Sequence, residues 1–515
     1  MDIVDKKNTA PRSTLAKVLL STDTWASRLV WQLAPPLVFL LVVFFFFPYS
    51  ARFEFSTDEG IELMKAMLVE RGYSLYGDIW SDHPPLFTYF LATAFHFFGL
   101  KVGVGRFVAL VFSSILLWAA FQLMRSVWNK GYALAAVLLI FLLPKYMLLS
   151  AAVMIGLPSI GLAMLSLLFL TYWHLRSKYY WLILSAVALG LSILIKIFTG
   201  FLAPIFLAGI LAQGILSQPH LRSRRKILVP AIIWAAVFSA FTLASGFLLI
   251  GPGNVSQLLD PHLAAATIED FRNNDLLSIH WHLRQSLPTL FLALLGSLFT
   301  LRSKRWLGLY LLAWAITAYV LLSVHAPVWD HQQLLVTIPA APLAAVAVYE
   351  AATLIWKIVQ THYSASLQGF LRTAAILGLF LLLFTFRTPE PISLMSPQPS
   401  LTNSEFELGP LTEKFFVKML KFAPQTNWVV TDLPMYAFRA RLPVPPNLAV
   451  LSSKRMTTGN LTEAQIMQTI LMYRPEQVLF GRFAYPNIDT YLRENYRLVH
   501  SKDEMKLYVR RDLGG

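Results

Sequence analysis

Trp31–Pro48, WQLAPPLVFLLVVFFFFP, carries no charged side chain, and two polar clusters follow it: Ser56-Thr57-Asp58-Glu59-Gly60 and Trp80-Ser81-Asp82-His83-Pro84-Pro85. An apolar run of roughly this length crosses a bilayer as a helix. The carboxylates beyond it therefore stand at a membrane surface and not in a soluble core. The first expectation is an active site at that surface.

Composition points the same way. Of 515 residues, 56% are hydrophobic and only 14% charged, and the mean hydropathy is +0.57; this is too apolar for an ordinary soluble enzyme. The chain has no cysteine, which excludes disulfides, thiolate metal sites and a cysteine nucleophile. The formal net charge of +15 falls mostly in clusters between apolar segments, the pattern of cytoplasmic membrane loops and not of a nucleic-acid surface.

At roughly 20 residues per crossing, spans are expected at Trp31–Pro48, Gly105–Val127, Tyr132–Leu149, Leu157–Trp173, Trp181–Ile195, Phe198–Leu216, Ile227–Ile250, Leu287–Leu301, Trp306–Val324, Leu334–Ala352 and Leu371–Phe386. The first is too long, and too poor in a small-residue cleavage site, for a signal peptide, and is expected to remain as an anchor. Loops sharing a side with the N-terminus carry Lys6, Lys7, Arg12, Lys17, Arg125, Lys130, Arg176, Lys178, the run Arg222 to Lys226, Arg302, Lys304, Arg305 and Lys357. Residues 1–30 should then be cytoplasmic and loop 49–104 should face outward. An odd number of spans, about eleven by length, puts the C-terminus outside as well.

Within the loop, Ile61, Met64 and Leu68 recur at helical spacing with Glu62, Lys65 and Glu70 between them, as in a helix lying flat on the interface. The aromatic stretch from Pro85 to Gly99 suits an interfacial helix entering the second span. After the spans, which end with residue 386, the Pro- and Ser-rich residues 387–400 read as a linker. Residues 401–515 read as a small α/β domain. Its strands are expected at Trp428–Thr431, Ala449–Leu451, Gln477–Phe480 and Lys506–Val509, its helices at Thr412–Lys421 and Thr462–Tyr473. Asp432, at a strand end, is expected to form a turn.

Asp58-Glu59 after the first span, Tyr73-Ser74-Leu75-Tyr76-Gly77-Asp78 and Asp82-His83-Pro84-Pro85 resemble the first outer loop of the protein mannosyltransferase and aminoarabinose transferase superfamily, glycosyltransferases of the GT-C fold. Leu191 to Lys196 is similar to that superfamily's leucine-rich segment ending in Thr-Lys, and the resemblance continues at His325-Ala326-Pro327-Val328-Trp329-Asp330-His331. It implies an α-helical polytopic membrane protein with a C-terminal extracytoplasmic α/β domain. The implied activity is inverting transfer of a sugar from a polyprenyl-phosphate donor to a lipid, glycan or protein acceptor, in a bacterial cytoplasmic membrane.

On that resemblance Asp58 matches the catalytic aspartate. A hydroxyl acceptor is a poor nucleophile at neutral pH, so a carboxylate that takes its proton is useful general-base catalysis. Glu59 and Asp82 join it as the catalytic carboxylates, Glu59 in an orienting role because adjacent helical residues do not face the same way. The leaving lipid phosphate needs cations and donors. His83 stands where aminoarabinose transferases carry a phosphate-contacting lysine, and an ionisable Lys196 inside an apolar stretch is a functional candidate by default. Arg272 and Arg284 are further phosphate candidates.

His325, Asp330 and His331 are acceptable substrate or zinc ligands by type. A divalent metal is thus open, but the expected chemistry requires no cofactor, and Met154 to Pro158 lacks the acidic residue many relatives carry. No Gly-x-Ser-x-Gly elbow and no Walker A sequence occurs. A transporter or lipid flippase is the alternative; it predicts repeated halves and charges along a central pathway, whereas here no repeat is visible and the unusual polar residues gather on one expected side.

Overall fold

The computed structural model describes residues 25–47, 49, 52–216, 224–303, 306–362 and 410–513. The expected span Leu371–Phe386 and the linker 387–400 lie outside them. Five described helices are individually long and apolar enough to cross a membrane: Val102–Val127, Gly156–Arg176, Leu228–Leu249, Trp306–Val324 and Asp330–Trp356. Shorter apolar helices accompany them at Val30–Phe46, Leu86–Phe98, Lys130–Phe141, Tyr179–Ile193 and Ile197–Gln213. Two expected spans are broken. Tyr132–Leu149 divides into Lys130–Phe141 and Tyr146–Ala151, because Pro144 disfavours helical backbone at the residue before it and Lys145 turns left-handed at φ +64°. Phe198–Leu216 begins as a 3-10 turn, Ile197–Phe201, before its helix Leu202–Leu216.

The helices form one bundle. Val102–Val127 packs on Gly156–Arg176 and Lys130–Phe141, and Leu334–His362 packs on Leu287–Arg302, around a core that includes Leu117, Phe121, Tyr146, Trp234 and Trp314. On their outer sides Leu41, Phe45, Leu243, Phe247 and Leu294 are more than half exposed. Apolar surface on both the inside and the outside of a helix is what a bilayer demands and water penalises.

The helix Thr57–Glu70 is started by Ser56, whose side chain accepts from the Asp58 N–H, and its first turn carries Asp58 and Glu59, where the helix dipole favours negative charge. It ends at Gly72, with φ +95°, a left-handed conformation that glycine adopts without strain. This helix does not lie flat with solvated charges, as its spacing suggests. Every residue from Glu59 to Leu68 is buried, because a second layer docks on the helix at Gly60 and Glu62 closes on Lys65 and His83.

That layer is the C-terminal α/β unit. Its sheet runs β1 (Val429–Thr431), β2 (Gln477–Phe480), β4 (Met505–Arg510), β3 (Tyr496–Lys502), with β1 parallel to β2 and the other pairs antiparallel. The expected strand Ala449–Leu451 is absent; it follows a 3-10 turn at Pro446–Leu448, and Pro443, Pro445 and Pro446 beside it cannot donate to a ladder. The unexpected β3 is an edge strand with mostly exposed residues, so it shows no apolar alternation to read.

Leu63, Met64, Met67, Phe87 and Phe95 of the loop form a single core with Phe415, Met435 and Phe438 of the α/β unit. Each such fully buried side chain contributes about 1.5–3 kcal/mol. Contact is closest at Gly60, where an added Cβ would stand 2.5 Å from the backbone nitrogen of Met435. Arg439 also donates to the carbonyls of Arg52 and Phe53, and Arg71 to that of Arg441.

Beneath the helix, Glu59 and Arg106 are wholly buried. Arg106 Nε and Nη2 donate to the two Glu59 oxygens at 2.8 Å each, and the N–H groups of Phe55 and Val153 donate to the same carboxylate. Removing one partner of such a pair strands a buried charge at about 3–5 kcal/mol. Glu59→Leu is therefore expected to lower the unfolding temperature of the detergent-solubilised protein sharply, while Glu59→Leu with Arg106→Leu recovers part of the loss; equal unfolding temperatures for wild type and the single variant would refute this role.

Candidate active site

A cavity of about 720 Å³ opens where the bundle, the first loop and the α/β unit meet. Its wall includes the first turns of Thr57–Glu70, the loop at Asp82–Pro84, residues 154–156, the turn at Lys196–Phe198, the helix Val255–Ala265, the segment from His325 to Gln332, and residues 452–454 with Arg482 of the α/β unit.

Asp58 is half-buried on this wall, and no donor among the described residues bonds its carboxylate. Burial raises its pKa above the ordinary value; His83 and Arg482 oppose the shift, and Glu62 and Asp82 add to it. One turn on, and so on the same helix face, lies Glu62, which sequence reading left among the solvated charges. It is 3% exposed, and its Oε1 accepts from Lys65 at 2.9 Å and meets His83 Nδ1 at 3.1 Å. Burial works against its charge, but Lys65 and His83 outweigh burial and hold the carboxyl below its usual range.

His83 is held by its backbone. Its carbonyl accepts from Tyr76 Oη at 2.8 Å and Ser81 Oγ at 3.1 Å, and the next helix is tied to the bundle by the Leu86 N–H on the Leu194 carbonyl. Its ring lies between Glu62 and Asp82, with Nε2 3.8 Å from Asp82 Oδ1. Asp82, 4% exposed, is ion-paired to Lys454 of the α/β unit, and Lys454 Nζ also stands 3.3 Å from both ring nitrogens of His262. Burial alone would raise the Asp82 pKa; His83 and Lys454 instead hold it far below the carboxylate range.

Lys196 follows the helix Tyr179–Ile193 in an extended conformation. Its ammonium lies 5.7 Å from the Phe198 ring and makes no hydrogen bond or ion pair with a described residue. Burial lowers its pKa to about 8, with Lys454 adding to the effect and Asp58 and Glu62 opposing it. The histidines nearby are held neutral. Burial, then Lys454, lowers His262 to about 3 and His325 to about 4. The cavity therefore joins an unbonded carboxylate to an unpaired cation.

The sequence-derived candidates divide sharply. Asp58, Asp82, His83, Lys196, His325, Asp330 and His331 all border the cavity. Glu59 does not; it points into the bundle toward Arg106. Arg272 and Arg284 are exposed and also lie off the cavity, and the Arg284 guanidinium sits 4.2 Å over the Trp281 ring. The metal alternative does not fit the donor geometry: among the described residues no three His, Asp or Glu side chains converge to hold an ion, and half-exposed Asp330 is ion-paired with Lys145 at 3.4 Å. The Asp432 carboxylate closes no turn within its own segment. It accepts from the N–H groups of Gly481, Arg482 and Phe483 at 2.9–3.1 Å, shaping the loop that carries Arg482. Sequence reading missed Glu62, His262, Lys454 and Arg482.

The resemblance to the mannosyltransferase and aminoarabinose transferase superfamily recurs in part of the sequence and in the fold. Residues 82–243 match the family described as dolichyl-phosphate-mannose-protein mannosyltransferase. The fold is similar to that of ArnT from Cupriavidus metallidurans bound to undecaprenyl phosphate, at a TM-score of 0.62 and 14% identity over 96% of this chain and 100% of that one. It is also similar to the archaeal oligosaccharyltransferase AglB from Archaeoglobus fulgidus, solved with an inhibitory peptide and a dolichol-phosphate, at a TM-score of 0.56 and 12% identity over 95% of this chain and 75% of that one. No curated protein matches the sequence.

The Asp82–Lys454 pair joins the first loop to the α/β unit. Lys454→Met should orphan a buried carboxylate and destabilise the protein by roughly 3–5 kcal/mol, and Lys454→Met with Asp82→Asn should restore most of that. Chemical denaturation in a fixed detergent reads both; a single variant as stable as wild type would mean the pair holds nothing together.

Proposed function

We propose that the protein is a membrane glycosyltransferase that moves a sugar from a polyprenyl-phosphate donor to an acceptor hydroxyl at the outer membrane face, with inversion and with Asp58 as general base. The observation that carries this reading is the half-buried Asp58 carboxylate, unbonded and with a raised pKa, sharing one cavity with an unpaired Lys196. A base of raised pKa takes a proton efficiently near neutrality. A cation without an anion is ready to receive a phosphate. The family matched by residues 82–243 is described as using a lipid-phosphate sugar, and both fold relatives were solved with polyprenyl-type phosphates, which supports the donor class.

In the step we envisage, the acceptor oxygen forms a bond to the anomeric carbon as the bond from that carbon to the phosphate oxygen breaks. The acceptor proton passes to Asp58, and the electron pair leaves on the lipid phosphate, which departs as an anion. Phosphate leaves without an acid to protonate a sugar oxygen, so the paired-carboxylate logic of glycosidases is not required. Lys196 stabilises the developing charge. His83, aligned by Glu62 and Asp82, donates from the other wall. We assign about eleven crossings by the length rule, residues 31–386 as the catalytic membrane domain, and residues 401–515 as an extracytoplasmic domain in a bacterial cytoplasmic membrane.

Radiolabelled sugar transfer from a panel of polyprenyl-phosphate donors into membrane lipids and proteins tests the reaction. Asp58→Asn, folded as wild type, should reduce transfer by about a hundredfold or more; undiminished transfer would remove Asp58 from the mechanism. The Lys196 ammonium is fully charged below its pKa of about 8 and neutral above it. Affinity for undecaprenyl phosphate should therefore be full near neutrality and fall as pH rises through about 8, while Lys196→Arg stays flat over that range. A wild-type affinity that does not change with pH would exclude Lys196 from the phosphate site.

A further inference from the structure

Arg482 enters the cavity from the loop after β2, more than 250 residues from any other cation on the wall except Lys454. Its guanidinium makes no hydrogen bond or ion pair with a described residue, and its Nη1 is buried without a partner. A buried cationic donor left unmatched is unfavourable and rare in folded proteins. The backbone beneath it is nonetheless rigidly built: Asp432, itself fully buried, accepts from three consecutive N–H groups of this loop. The Phe483 ring lies 5.2 Å from the guanidinium carbon. Arg482 is near enough to Asp58 to lower the pKa of that carboxyl, yet no carboxylate among the described residues closes an ion pair on it. A fixed loop thus presents an open guanidinium beside the proposed base.

We infer that Arg482, supplied by the C-terminal α/β unit, joins Lys196 in binding the donor's lipid phosphate. This rests on reading the cavity as a lipid-phosphate site. A phosphate that gains charge as it leaves calls for more than one ammonium, and a planar guanidinium bonds two phosphate oxygens at once and stays charged at every physiological pH. Occupation by an oxyanion would satisfy the buried Nη1 and neutralise the cation in one contact. The α/β unit is then part of the donor site and not a separate recognition module.

The test is binding of undecaprenyl phosphate, and of undecaprenol as the uncharged counterpart, to full-length wild type, Lys196→Met, Arg482→Met and Arg482→Lys in the same detergent. The Asp432 network uses only backbone donors, so Arg482→Met should keep the wild-type unfolding temperature; if it does not fold, Arg482→Gln takes its place with the same expectations. Arg482→Met should weaken the phosphate lipid by roughly tenfold or more, leave undecaprenol unchanged, and be partly rescued by Arg482→Lys, which restores charge without the fork. Wild-type affinity in Arg482→Met alongside a loss in Lys196→Met would overturn the role of Arg482 alone. A wild type that binds both lipids equally would overturn the lipid-phosphate reading and this assignment with it.

Discussion

The buried pair between Glu59 and Arg106 determines where the rest of the site can be. Arg106 belongs to the span Val102–Val127 and Glu59 to the loop helix, so two charges that must satisfy each other out of water fix the rotation of that helix about its axis. With Glu59 turned into the bundle, Asp58 faces the cavity and Glu62 follows it one turn on. The surplus Arg106 donors bind the carbonyls of Tyr49 and Arg52, which holds the chain leaving the first span against the same anchor. A weaker apolar contact would tolerate a slip in rotation, whereas an ion pair in a low dielectric does not.

Charge in the cavity is arranged around that helix. Four carboxylates line it, but Asp82 is matched by Lys454, Glu62 by Lys65 and Asp330 by Lys145. Asp58 alone is unmatched, and burial drives its pKa up instead of having it compensated. Lys196 is the counterpart: unpaired, and lowered by burial and by Lys454. Environments that push two groups away from their ordinary values in one pocket are a mark of acid, base and ion-binding roles. Structural ion pairs elsewhere in the protein, such as Asp489 with Lys506 and Arg493 on the α/β unit, lie away from this cavity.

Part of this arrangement is legible in the sequence. The apolar runs reveal themselves by length, and Asp58, Asp82, His83 and Lys196 by being polar at the edges of such runs. What stayed hidden was set by contacts distant in sequence. The pattern around Glu62 and Lys65 is that of an amphipathic surface helix, and only the fold shows that the two pair with each other and that Glu62 meets His83 out of water. Lys454 and Arg482 lie in ordinary soluble-looking sequence, where a lone cation carries no signal. Glu59 and Asp58 share the same local chemistry, and their separation into anchor and candidate base follows from the position of Arg106, 47 residues away. Arg272 and Arg284 show the converse: charge in a loop near the spans is common, and nothing in a loop's sequence says which way it folds.

The closeness of the α/β unit to the loop helix bears on why the two are fused in one chain. At Gly60 the helix backbone approaches Met435 too closely for any side chain to intervene, and Arg439 donates to the carbonyls of Arg52 and Phe53 alongside Arg106. The loop supplies carboxylates and the unit supplies Lys454 and Arg482, so neither has a balanced charge set alone. Separating them would leave Asp82 without its lysine and expose Leu63, Met64 and Phe95 to water. A cavity wall built this way is assembled by the same apolar contact that docks the unit, so under the proposed function docking is a condition of chemistry and not a later addition to it.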